Sequence, residues 1–174
     1  FFEGEEAFET FERDQVMVGY ELEHRINDGL SARQRLRYTE AEVELAQGYA
    51  FGWASQTQLN RYFSGGEESL DALTVDNQLE ARLITGGVEH TLLLGLDHQR
   101  RNNDVTWTSG AFPAIDVFTP QYGAEPSMMF PEVRQRRELE QTGLYLQDQL
   151  AFGNWRANLG LRHDRVDITN SDPV

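Results

Sequence analysis

The sequence contains no cysteine, so neither a disulfide nor a thiolate metal site is available to it. It contains no run of about 18 apolar residues, which excludes a membrane-spanning helix. A membrane-spanning strand needs only about 9–11 residues of alternating pattern, and hydropathy averaging passes over such a strand. Basic charge is scarce: 15 Lys and Arg stand against 29 Asp and Glu, for a formal net charge of −14 and a pI near 4.6. A phosphate backbone is held by a basic surface, so nucleic acid is not an expected partner. No methionine or signal peptide opens the chain at Phe1, and no closing element ends it at Asp172-Pro173-Val174. The expectation is a piece of a longer protein, from which a targeting signal would have been removed.

What is present is alternation. In "QVMVGYELEHRI" the even positions read Val16, Val18, Tyr20, Leu22, His24 and Ile26, against Gln15, Met17, Gly19, Glu21, Glu23 and Arg25. That is a period of two, the signature of a strand with one apolar face. "NDG" at 27–29 is a tight-turn signal, because Asn, Asp and Gly tolerate positive φ. The next strand sets Leu30, Ala32, Leu36 and Tyr38 against Arg33, Arg35 and Arg37. "TGGV" at 85–88 predicts a second short turn, followed by Leu92, Leu94 and Leu96 on one side. In 141–164, Leu144, Leu146 and Leu150, and after a Gly-Asn turn Trp155, Ala157, Leu159 and Leu161, oppose Gln141, Tyr145, Gln147, Arg156, Asn158 and Arg162.

The expected fold is all-β, an antiparallel meander of about six strands, with strands over 15–26, 30–43, 136–151 and 155–168. Short connections at 27–29, 85–88 and 152–154 alternate with long ones expected at 44–57 and 103–135, where four of the five prolines fall. From Leu59 to Leu83 the pattern reads as a less regular extended stretch, interrupted by "SGGEES". Outer-membrane barrels sort their loops in this way, with tight turns on the periplasmic side and long loops outside. Phe152 and Trp155 flank one short turn on the apolar face, where an interfacial girdle would lie; they also fit a cross-strand pair. On this reading the leucine face meets lipid and the Gln, Tyr, Arg and Glu face meets a wet lumen. Three arginines in a row would be costly in a packed soluble core. A soluble antiparallel sheet with the polar face in bulk solvent remains the rival.

These segments resemble TonB-dependent siderophore receptors, especially the ferrichrome and hydroxamate group. The likeness is carried by "QTGLYLQDQLAFGNWRANLGLRHD" at 141–164, "VDNQLEARLITGGVEHTLLLGLDHQR" at 75–100, "VGYELEHRINDGLSARQRLRY" at 18–38 and "IDVFTPQYG" at 115–123. It runs over nearly the whole chain in the family's order. His163 departs from it, standing where the family often has an aromatic residue before Asp164. So does the lack of cysteine, where some relatives pin the loop after residue 50 with a disulfide. The resemblance implies a transmembrane outer-membrane β-barrel of 22 strands in the whole protein, with an N-terminal plug in the lumen. Residues 1–174 would be part of the barrel domain, and the plug is not expected in this chain. The implied function is import of a ferric siderophore, of hydroxamate type, into a Gram-negative cell with energy from the TonB complex, which would contact the missing N-terminal region. Iron would arrive as ligand, with no resident cofactor, and membrane lipid and lipopolysaccharide would surround the barrel. The alternatives are a related receptor for haem or a cobalamin, and a soluble carbohydrate-binding sheet module.

The site residues follow from the same comparison. "RLRYTEAEVELAQGYAF" aligns with the ferrichrome-receptor pattern and puts Tyr49 and Phe51 where that pattern presents a pair of tyrosines; Phe51 lacks the hydroxyl. Trp107 falls near a second aromatic of that pocket. In an extended chain Tyr49, Phe51 and Trp53 would point the same way. A ferric hydroxamate hides its metal, so a receptor reads its outer surface by aromatic contact and a few hydrogen bonds. Loop packing is the competing role for these aromatics. Arg33, Arg35 and Arg37 are expected on the lumen face, free to pair with plug carboxylates.

No constellation points to catalysis; an outer-membrane enzyme would want a converging Ser-His pair. His24, His90 and His98 share the apolar-face parity and are expected at membrane edges. His163, Asp164 and Asp167 read as a strand end rather than a metal site, and no metal site is expected. The acidic run at 3–12 reads as a solvated loop, with cation-bridged lipopolysaccharide as a second use.

Overall fold

The computed structural model describes residues 1–172. One antiparallel sheet contains β1 (Thr10–Asn27), β2 (Leu30–Trp53), β3 (Gln58–Thr85), β4 (Val88–Asp116), the two-residue β5 (Met128–Met129), β6 (Val133–Phe152) and β7 (Trp155–Ser171). The order across the sheet is β1-β2-β3-β4-β6-β7, with β5 on the edge of β4 above β6. All four strand spans expected from alternation are strands. The short turns fall as the sequence predicts; Gly86, Gly87 and Gly153 take positive φ there, which a side chain would resist.

Cross-strand pairing sorts every side chain onto one of two faces. The leucine face carries an apolar belt: Val16–Ile26 on β1, Leu30–Tyr38 on β2, Leu73–Leu83 on β3, Val88–Leu96 on β4, Leu144–Phe152 on β6 and Trp155–Leu161 on β7. All but the shorter β7 segment fall in the range of about 9–11 residues that a tilted strand needs to cross a bilayer. Tyr20 and Tyr38 lie toward one rim of the belt, and Phe152 pairs with Trp155 at the other. Among the described residues no second layer covers this belt: Leu144, Leu159 and Leu161 are 53%, 61% and 77% exposed. The covered-sandwich alternative therefore finds no support in the sheet.

The strands run far past the belt, and here the sequence-based expectations need correction. β2 continues to Trp53 and β4 to Asp116, so the long connections shrink to 54–57 and 117–132. The stretch expected to be extended is so, but the interruption expected at "SGGEES" is absent: it is unbroken β3 paired on both sides. Gly65 and Gly66 belong inside it because neighbouring backbone comes close: a Cβ at 65 would press on the Leu45 carbonyl and one at 66 on that of Thr106. Pro113 is tolerated because it follows the pairing of Phe112 with Arg61, where the β3–β4 register shifts. Polarity also inverts beyond the belt. The leucine face becomes acidic (Glu12, Glu42, Glu44, Glu67, Asp104), while the arginine face gains apolar residues (Val43, Leu45, Val105, Trp107) among polar ones such as Arg13 and Glu68.

Dense packing is confined to the far end of the long strands. Phe63, Phe112 and Ile115 are buried, and Phe8 packs edge-on against Phe63 at 5.3 Å and Phe112 at 5.1 Å. Phe8 belongs to residues 1–9, which fold back over this end. The acidic run is therefore not simply a solvated loop. Glu5 is 2% exposed and accepts from Arg61 Nη1 at 2.8 Å, while Glu9 Oε1 accepts from Gly48 N at 3.2 Å.

Candidate functional site

Above the belt, the arginine face carries the aromatic residues singled out from sequence. Tyr49 pairs with Tyr62, which pairs with Ala111, so these three share that face. Phe51 stands edge-on to Tyr62, with ring centroids 5.3 Å apart, and Phe130 lies against the same ring at 6.3 Å. Trp107 sits in a row with Phe11, Leu45, Gly66 and Val133, on the same face but further down the strands. Strand spacing and rise put Trp107 roughly 16 Å from Tyr49, two strands across and four residues down. The wall thus carries two aromatic stations, separated by the polar row Gln47–Ser64–Ser109, rather than a single cluster.

Trp53 does not belong to it as expected. Gly52 takes φ +77° and the β2–β3 register shifts between Ala50 and Trp53, so the shared direction of Tyr49, Phe51 and Trp53 is lost at the bulge. Trp53 instead pairs with Leu59 at the tip and is 61% exposed. Tyr62, Phe130 and Phe11 were missed from sequence. Parity within one strand does not reveal them; the register that sets Tyr62 beside Tyr49 does.

Arg33, Arg35 and Arg37 lie on the face opposite the leucines, at belt height. Two of them are already engaged within the sheet. Arg35 forks onto Glu21 at 3.0 and 3.2 Å, and Arg33 reaches Glu23 at 3.1 Å and Glu21 at 3.5 Å. Among the described residues Arg37 has no carboxylate partner. The same face carries Arg162, bidentate to Asp97 at 2.7 and 3.0 Å and bonded to Asp164. All cations in the chain are arginine, whose planar fork suits such two-point pairing.

His90 lies on the leucine face within the belt's rim, where Nδ1 meets Asp148 Oδ2 at 2.8 Å; His98 meets Thr142 Oγ1 at 3.0 Å. His163 pairs across to Leu144, and among the described residues no group of His, Asp and Glu is placed to hold a metal.

The connection 117–132 is tied down along its length. Asp116 accepts from Thr57 Oγ1 at 2.8 Å and from the amides of Phe118 and Thr119 at 2.9 and 3.0 Å. These donors, led by the Thr57 hydroxyl, hold its carboxyl below the usual carboxylate range. Tyr122 and Phe2 exchange hydrogen bonds, Gly123 N donates to Glu5 Oε2 at 2.7 Å, and Ser127 N and Phe130 N donate to the Ala111 and Ser109 carbonyls.

Residues 2–174 match the family described as "TonB dependent receptor-like, beta-barrel". The chain is 47% identical over 174 residues to the ferrioxamine B receptor of Salmonella typhimurium, covering all of this chain and 25% of that protein. It is 38% identical over 179 residues to the ferrioxamine receptor of Yersinia enterocolitica, covering 98% of this chain and 25% of that one. The crystal structure of the ferric-catecholate import receptor Fiu from Escherichia coli K12, in its open form, superposes with a TM-score of 0.87 at 18% identity, covering 98% of this chain and 28% of that chain. The chain thus spans about a quarter of the length of its curated relatives. An uncovered apolar belt of bilayer height, a polar opposite face and loops sorted by end agree with that match: the chain belongs to the TonB-dependent receptor family and is an arc of the family's outer-membrane β-barrel.

Proposed function

We propose that the whole receptor imports a ferric siderophore of the trihydroxamate class, with ferrioxamine-type ligands preferred over ferrichrome. The observation that carries this reading is the pair of aromatic stations above the belt on the lumen side: Phe11, Leu45 and Trp107 in one row, with Tyr49, Phe51 and Tyr62 above them beyond the polar row Gln47–Ser64–Ser109. Such a surface suits a ligand whose iron is wrapped in an organic shell, recognised by aromatic contact and a few hydroxyls without a protein–iron bond. The two ferrioxamine relatives support the hydroxamate class. No resident cofactor is proposed, and the protein transports without catalysing.

The partners follow from the same reading. A plug outside this chain would fill the lumen, and Arg37 is one cation on that face that could meet its carboxylates. The TonB complex would engage the receptor through the region preceding this arc. Lipid and lipopolysaccharide would cover the belt and the rim above it.

The test is a titration of the full-length purified receptor with ferrioxamine B, ferrichrome and a ferric catecholate, beside uptake of each by cells with and without TonB. Tightest binding of ferrioxamine B and TonB-dependent uptake are expected. Preference for the catecholate, for haem or for a cobalamin would overturn the hydroxamate reading.

A further inference from the structure

We infer that Glu5 is a positioning residue, a buried latch on the outer side of the wall that sets the pose of Phe130 on its inner, ligand-facing side. Glu5 sits at a junction of three segments. One carboxylate oxygen accepts from Arg61 Nη1 on β3 at 2.8 Å; the other accepts from Gly123 N in the connection 117–132 at 2.7 Å. Both charged side chains are almost wholly buried, at 1% exposure for Arg61 and 3% for Glu5. Arg61 has further partners at this junction: Nη1 also reaches the carbonyls of Gly4 and Glu3, Nε donates to the Pro113 carbonyl, and the guanidinium lies 5.4 Å from the centre of the Phe112 ring.

A pair so buried is weak evidence for stability, because desolvation offsets its attraction. Breaking it from one side is costly, since either charge left alone would be uncompensated. Seven residues after Gly123 the same connection delivers Phe130, which lies against Tyr62 at 6.3 Å beside Phe51. Between these points the chain runs along the edge of β4: Ser127 N donates to the Ala111 carbonyl at 2.7 Å, Met128–Met129 pair with Gly110–Ala111, and Phe130 N donates to the Ser109 carbonyl at 2.9 Å. Arg61 and Tyr62 are adjacent on β3 and point to opposite faces. The latch therefore grips the strand on one side at the level where Phe130 completes the aromatic station on the other. Loss of the latch frees the connection at Gly123 and lets Phe130 leave Tyr62.

The ligand arm of this inference rests on the proposed siderophore function; the loop arm does not. Hydrogen exchange on the full-length receptor reads the loop arm at Ser127–Phe130, and ferrioxamine B titration reads the ligand arm. Glu5→Gln should speed exchange there at least tenfold and weaken binding about tenfold, with the belt amides unchanged. The double variant Glu5→Met/Arg61→Met removes both charges while keeping apolar volume, so it serves if the single variant fails to assemble, and it should do the same. In a Phe130→Ala background Glu5→Gln should cost no further affinity, a non-additivity that general loss of structure would not produce. Unchanged exchange at 127–130 in both latch variants would overturn the inference. So would faster exchange with affinity intact, or additive losses. A parent receptor that does not bind ferrioxamine B would overturn the proposed ligand instead, leaving the exchange arm to decide the latch.

Discussion

The ring of Tyr145 on β6 lies over Gly95 on β4 and fills the space where a side chain at 95 would project. Its hydroxyl donates to Asp76 at 2.8 Å and accepts from Gln78 Nε2 at 3.0 Å, so the tyrosine spans from β6 across β4 to β3 on the lumen face. The guanidinium of Arg162 stands 5.5 Å from the same ring centre. Here a glycine is required by a close approach rather than by a turn. Gly95→Ala should displace the ring and break the tie to Asp76, destabilising the barrel by about 1–3 kcal/mol, the usual cost of overpacking. Tyr145→Phe, which keeps the packing and loses the hydroxyl, should cost only about 1 kcal/mol. Urea unfolding of the full-length receptor in detergent checks both, and equal effects would deny Gly95 its role.

The two faces differ in what they tolerate. Leu146 sits in mid-belt between Leu94 and Leu161, and Gln147 beside it points into the lumen. Leu146→Arg should cost on the order of 2–4 kcal/mol against a bilayer midplane. Gln147→Arg should be nearly silent, because it meets water and nearby polar groups. Folded barrel in outer-membrane fractions, resolved by heat-modifiable gel mobility, measures the difference; similar yields for the two would reverse the assignment of faces.

Asp116 gives the connection 117–132 a pH dependence of definite sign. Its carboxyl is held below the ordinary value by the Thr57 hydroxyl and the Phe118 and Thr119 amides. A depressed folded value means that the contribution is complete above the unfolded value near about pH 4 and is lost as pH falls through the folded one. The Phe118 and Thr119 amides should therefore stay protected at neutral pH and open only in acid below about pH 4. In Asp116→Asn they should exchange with little dependence on pH beyond the intrinsic chemistry. Hydrogen exchange followed between about pH 3 and pH 7 tests this, and acid opening that persists in the asparagine variant would assign it to another group.

Alternation made the belt legible residue by residue, because lipid on one side and water on the other impose a period of two. Above the belt neither face meets lipid, the contrast falls, and segments such as "GYAFGW" and "SGGEES" look like loops while pairing as strands. The inner placement of Tyr49 was readable from parity and resemblance. Its neighbours Tyr62 and Phe130 depend on register and on a fold-back at β5, and neither is written in any one strand. Glu5 looked like one more solvated acid because Arg61, its partner, lies 56 residues away. The direction of Trp53 turned on a bulge at Gly52, which the glycine permitted without announcing.

The aromatic wall should bind as two stations. Tyr49, with Phe51 and Tyr62, forms the upper one, and Trp107, flanked by Val133 on one side and by Leu45 beyond Gly66 on the other, forms the lower. Both belong to strand ends that rise from the same side of the sheet, since the connections 54–57 and 117–132 share that side. A trihydroxamate chelate is broad enough to touch more than one ring, and each aromatic contact is worth about 1 kcal/mol. Tyr49→Ala and Trp107→Ala should each weaken ferrioxamine B binding several-fold. The double variant should lose roughly tenfold or more, near the product of the single losses, because the residues are too far apart to share a partner. Tyr49→Phe, which keeps the ring, should sit close to the parent if stacking dominates and close to Tyr49→Ala if the hydroxyl is the contact. Trp53→Ala, at the exposed tip beyond the bulge, should bind as the parent does. Titration of the full-length receptor, with folded yield measured alongside, gives all five values. Loss at Trp53 without loss at Trp107 would move the ligand from the lumen wall to the loop tips.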